Sequence, residues 1–141
     1  MKIYSIIICL CIFGLSGCSP LNPDQVLAPE PKADRIEVIS QRGREKLVGH
    51  ISDPSTVAKV VAYVNSLPST WHTPWPEGAI AVIRLEFYDK GILVGRFAVA
   101  PDYFERWSHT DWCFLKATPT QIQELNDAAG MDLLKLASAE H

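Results

Sequence analysis

Apolar residues recur along this chain with changing period, and each change marks an element. Residues Ile3 to Leu15 form an almost unbroken apolar run, interrupted early by Tyr4 and Ser5. Residues 19–34, "SPLNPDQVLAPEPKAD", have four prolines and no apolar period. From Arg35 the pattern becomes regular. "RIEVIS" alternates Ile36 and Val38 with Arg35 and Glu37, the period of a strand. "QRGRE" holds a glycine-centred turn, and "KLVGHIS" reads as a second strand returning as a hairpin.

The period then lengthens. In "DPSTVAKVVAYVNSLPS", Val57, Val60, Val61, Val64 and Leu67 fall on one helical stripe. Asp53 suits the N-cap, Pro54 suits the first helical position, and Pro68 stops the helix. "WHTPWPEG" reads as a loop, because Pro74, Pro76 and Gly78 deny it regular structure. In "AIAVIRLEFY" the second half alternates Ile83, Leu85 and Phe87 with Arg84, Glu86 and Tyr88, while the first half is apolar throughout. "DKG" makes a tight turn at Gly91, "ILVGRFAVA" returns as a strand, "PDYFERWSH" reads as a loop or bend, and "TDWCFLKA" is a fifth strand. "TPTQIQELNDAAG" carries a second helix, with Thr118 and Gln121 spaced as a capping box and Gly130 as the stop. "MDLLKL" reads as at most a short final element. The order β-β-α-β-β-β-α predicts an α+β fold: an antiparallel sheet of about five strands with two helices on one face, a two-layer sandwich.

The apolar run at the start has its own meaning. It follows a single charge, Lys2, and is shorter than the roughly 20 residues of a membrane-spanning helix. It ends in Leu15-Ser16-Gly17-Cys18. This run and its ending resemble the signal peptide and lipobox of bacterial lipoproteins: Leu, a small residue, Gly or Ala, then Cys. Cys9 and Cys11 do not fit, since bulky Ile8 and Leu10 precede them. The resemblance implies diacylglycerol on the Cys18 sulfur, cleavage before Cys18 and acylation of the new amino group. It divides the chain into a signal peptide (1–17), a lipidated cysteine with a proline-rich tether (18–34) and one α+β domain (35–141). Ser19, where an Asp would signal inner-membrane retention in Gram-negative lipoproteins, implies the outer membrane, facing the periplasm. Acyl chains contribute about 0.8 kcal/mol per buried methylene, so two or three hold durably. The tether, about 16 residues, reaches roughly 50 Å when extended at about 3.1 Å per residue. For the domain itself the residues suggest no family.

Charge narrows the partners. The chain has 13 Lys and Arg against 16 Asp and Glu, a net charge of −3, and losing Lys2 with the signal makes it one unit more negative. Both signs are interspersed, which argues against nucleic acid and against an extended electrostatic membrane contact. Of four cysteines, only Cys113 remains once the signal is removed and Cys18 is lipidated, so no intramolecular disulfide holds the fold.

Three groups carry candidate chemistry. On an extended backbone, His109, Asp111 and Cys113 share a face, and all three are competent metal ligands. Same-face neighbours on a strand lie nearly 7 Å apart, from a rise of about 3.3 Å per residue, too far to converge readily on one ion. A nucleophilic Cys113 would need a base such as His50, His72 or His109, and its apolar neighbours would raise its pKa. The plainer reading is a buried thiol acting as a small hydrophobe. The second group is the proline-stiffened loop with Trp71, His72 and Trp75, which offers flat apolar faces to a partner. The third is Tyr103, Phe104, Arg106 and Trp107, residue types enriched at interface hot spots. For both, the plainer reading is consumption in the sheet's packing. If the two loops share one end of the sheet, they form one groove. The carboxylates of Asp102 and Glu105, and of Glu124 and Asp132, read as solvated faces.

There is no Gly-rich phosphate loop, no GxSxG and no SxxK. The sequence therefore points to a non-catalytic binding or accessory domain needing no cofactor, meeting a protein or cell-wall partner through its aromatic loops. An inhibitor or immunity-type protein blocking an envelope enzyme is one alternative. A metal-binding or thiol-dependent activity at His109, Asp111 and Cys113 is the other.

Overall fold

The computed structural model describes residues 33–68, 71–72, 81–107 and 112–139. The signal, Cys18, nearly all of the tether, Trp75, His109, Asp111 and the side chain of Trp107 lie outside the described residues. The chain forms β1 (Arg35–Ser40), β2 (Lys46–Ile51), α1 (Pro54–Ser66), β3 (Ile83–Asp89), β4 (Ile92–Val99), β5 (Tyr103–Trp107), β6 (Trp112–Lys116), α2 (Pro119–Ala129) and α3 (Leu133–Ser138). The fold is α+β, with one open antiparallel sheet in the order β2-β1-β3-β4-β5-β6. No helix among the described residues is long and apolar enough to cross a membrane.

Among the described residues the sheet has six strands rather than five, and there are three helices rather than two. The extra strand is β5, in the stretch that reads as a loop or bend. Its alternation is hidden because consecutive residues Glu105 and Arg106 are both charged and both buried. A strand with a charge on each face shows no apolar period. The extra helix is α3, whose start is capped by the Asp132 carboxylate accepting from the Lys135 N–H at 3.0 Å.

Local chemistry sets the other helix ends. Asp53 caps α1 by accepting from the Thr56 N–H at 2.8 Å. Leu67, at φ −62° and ψ 146°, is extended, because Pro68 disfavours helical backbone in the residue before it. Thr118 and Gln121 form a reciprocal capping box at α2, with N–H to oxygen distances of 3.2 and 2.9 Å. Gly130 ends α2 at φ 67°. Thr118→Ala removes the hydroxyl acceptor and is expected to cost about 1 kcal/mol, read as a shift in the denaturation midpoint.

One core joins the sheet to the helices. Val57, Val60, Val61 and Val64 of α1, Ile122, Leu125 and Ala129 of α2, and Leu133 and Ala137 of α3 pack into the same cluster as Ile36, Val38, Leu85, Phe87, Phe97, Val99 and Phe104. The Tyr63 hydroxyl donates to the Gln121 carbonyl at 2.6 Å and ties α1 to α2.

Register decides which residues share a face, since directly opposed residues of antiparallel strands point the same way. Val38, Leu85, Phe97, Arg106 and Cys113 form one row across the sheet. That row belongs to the helix-covered face, because Val38, Leu85 and Phe97 lie in the core cluster. Ile39, Arg84, Ala98, Glu105 and Phe114 form the adjacent row on the other face. His72 extends that row past β6 through paired backbone hydrogen bonds with Phe114, at 2.9 and 3.1 Å.

Candidate functional site

The β5–β6 margin of the sheet collects the sequence's aromatic candidates, but on two faces. Trp71 and His72 are consecutive, so they project to opposite sides. Trp71 turns to the helix side, where its ring meets Phe97 edge-on at 6.4 Å and stands 5.8 Å from the Arg106 guanidinium carbon. His72 is exposed on the other side, its ring 5.5 Å from that of Phe114. His72 reads as a loop residue in the sequence; the backbone pairing with Phe114 makes it a one-residue extension of the sheet instead. Tyr103 is partly buried on the same side as His72, opposite Lys116. The described residues thus bring Trp71 together with Arg106, and His72 with Phe114, rather than forming one groove. Trp75 is outside the described residues, and Trp107 is placed only by its backbone, opposite Trp112.

Glu105 corrects the sequence reading of a solvated carboxylate: it is only 6 % exposed. It stands between Ala98, which is fully buried, and Phe114. Its Oε1 has no hydrogen-bond partner. Burial pushes its pKa up to about 7, against a smaller opposing pull from the Ala81 backbone amide. Desolvation disfavours the charged form of any buried acid.

Arg106, on the other face of the same strand, is also 6 % exposed. Its Nη2 donates to the Asn65 side-chain oxygen at 3.0 Å, and its Nε has no partner. Burial lowers its pKa to about 10. Among the described residues no carboxylate pairs with it.

Glu86, the other buried charged residue among those described, is satisfied. Glu86 accepts from Arg84 at 3.0 Å, Arg96 at 3.2 Å and the Tyr88 hydroxyl at 2.8 Å. Arg84 also grips Glu45 through two bonds of 2.6 and 2.9 Å, which holds the Glu45 carboxyl below its ordinary value. This network closes on itself, as a structural cluster should. Glu105 and Arg106 break that rule, and buried groups that break it are where function is sought.

Cys113 is 1 % exposed, opposite Arg106 on the helix-covered face. Among the described residues no group of three or more His, Cys, Asp or Glu side chains could hold a metal ion, and His109 and Asp111 lie outside them. The sequence shows no sign of Asn65 and places Glu105 in solvent. The available signal was the Glu-Arg pair inside "YFERW": if that stretch is a strand, one of the two charges must face the core.

Compared with protein-family models, with curated proteins and with solved structures, the chain shows no match.

Proposed function

We propose that this protein is a lipid-anchored envelope component, held by acyl chains on Cys18 at the outer membrane and facing the periplasm. Its domain works as a non-catalytic binding or accessory unit for a protein or cell-wall partner. The recognition surface is the β5–β6 margin, where Trp71 and Arg106 meet on one side and His72 and Phe114 on the other.

The observation that supports this reading is the Trp71–Arg106 pairing itself. Two residue types enriched at binding hot spots come from separate segments to one edge of the sheet. Arg106 is buried there without a described countercharge, an arrangement that costs stability rather than adding to it. Natural sequences keep such local conflicts mainly where function needs them.

Site-directed cross-linking from the position of Trp71 in the native host tests the binding reading. With the full chain carrying a photo-reactive residue at 71, a discrete partner adduct is expected. Combining it with His72→Ala and Arg106→Gln should reduce the adduct about tenfold or more, the ratio that about 1.4 kcal/mol of lost binding produces. An undiminished adduct, with anchoring and folding intact, removes this surface from the proposal. Anchoring is read separately: Cys18→Ala should abolish acyl labelling.

A further inference from the structure

The two unsatisfied charges of β5 are not equivalent. A buried carboxylic acid can lessen its desolvation cost by holding its proton, and burial shifts Glu105 in that direction. A guanidinium has no such escape, and even with its lowered pKa Arg106 stays protonated at neutral pH. Its neutralisation must come from an anion. Neither of its described neighbours supplies one. Asn65 is a neutral amide. The Trp71 ring, at 5.8 Å, is at the outer limit of useful cation–π attraction.

We propose that Arg106, Asn65 and Trp71 form the recognition site for a single ligand carboxylate next to an apolar group; this rests on the binding reading above. Three features select the chemistry. Arg106 is the one cation of the site among the described residues, so the site balances one negative charge; a phosphate dianion would leave charge over in a buried place. The planar guanidinium fork matches the two oxygens of a carboxylate, and the unpaired Nε is one prong of that fork. Asn65 accepts from Arg106 through its oxygen, which leaves its amide N–H groups available to donate to the same carboxylate. Beside them Trp71, partly buried against the core, offers a flat face to the apolar remainder of the ligand. Such a carboxylate belongs either to a small organic acid or to the free C-terminus of a peptide, and the two are separable by experiment.

The test follows the Arg106 side-chain Nε–H signal by NMR, in the full chain in detergent micelles. Three probes are titrated at constant ionic strength, to concentrations on the order of 10 mM, where millimolar affinities register. They are phenylacetate, N-acetyl-Ala-Ala with a free C-terminal carboxylate, and the same dipeptide as its C-terminal amide. A saturable shift with a carboxylate probe and none with the amide supports the site. Response to phenylacetate alone assigns a small acid, and response to the free dipeptide assigns a peptide end. Arg106→Lys, which keeps the charge and loses the fork, should weaken the affinity about tenfold or more, followed in wild type and variant alike on the Trp71 indole N–H signal. No shift with either carboxylate, or an equal shift with the amide, overturns the proposal. The wild-type titrations decide the matter even where the variant folds poorly. A cross-linked partner without any carboxylate response would sink the carboxylate assignment alone, and a carboxylate response without a cross-linked partner would sink the reading of a macromolecular partner at this edge.

Discussion

Equilibrium unfolding of the domain is expected to lose about 3 kcal/mol of stability through Glu105 as pH rises from about 4.5 to about 7, and Glu105→Gln is expected to remove that loss. The sign follows from where the proton sits. The folded-state pKa of Glu105, about 7, is above its ordinary 4.5. Below about pH 4.5 the carboxyl is protonated in both states and contributes no penalty. Between the two values the unfolded chain gives up the proton while the fold must keep it, so unfolding becomes progressively easier. Above about pH 7 the fold holds a buried, incompletely bonded carboxylate, and the penalty is constant. Glutamine has the same shape and still offers an oxygen to the Ala81 amide, but it cannot ionise. The measurement is a pair of denaturant titrations, wild type and variant, across this range. Exposed carboxylates such as Glu45 and Asp53 titrate in the opposite direction, with lowered pKa values, and cancel in the difference. Parallel curves for the two proteins would mean that the Glu105 carboxyl is solvated.

Phe97→Ala is expected to cost about 3–5 kcal/mol, the usual range for deleting a fully buried phenyl ring. Phe97 is fully buried in the middle of the sheet. Its ring packs 5.2 Å from Phe104 and 6.4 Å from Trp71, so it links the central core to the proposed recognition edge. The substitution should therefore also loosen Trp71 and shift the Arg106 Nε–H signal. Phe97→Leu, which keeps much of the volume, should cost less than about 1.5 kcal/mol. Chemical denaturation with intact m-values reads both; a loss below about 1 kcal/mol for the alanine variant would contradict the tight packing.

Glu105 and Phe97 mark the two ends of what residue order reveals. Phe97 sits in an apolar strand that announces itself, as do the valine stripe of α1 and the Thr118–Gln121 cap of α2. Those signals are local, carried by periodicity within one element or by spacing of three residues. Glu105 and Arg106 send the opposite signal. Their charges read as solvent-facing and erase the alternation of β5, because a strand's faces are identified by contrast and here each face carries a charge. Trp71 and His72 are adjacent in sequence yet lie on opposite sides of the sheet, which only a one-residue pairing with β6 decides.

The sequence by itself determined the α+β class, most element boundaries, the helix caps and, through Leu15-Ser16-Gly17-Cys18, the expectation of a lipid anchor. Each depends on interactions among near neighbours in the chain, and such interactions are written directly in residue order. Tertiary structure alone decided that β5 is a strand, that Glu105 and Arg106 are buried back to back, and that Trp71 and Asn65 close on Arg106. The physical reason is that burial is a collective property. Whether a charge meets water depends on which distant segments pack over it, and the same side chain is a solvated surface group or a costly interior ion according to residues far away in the sequence.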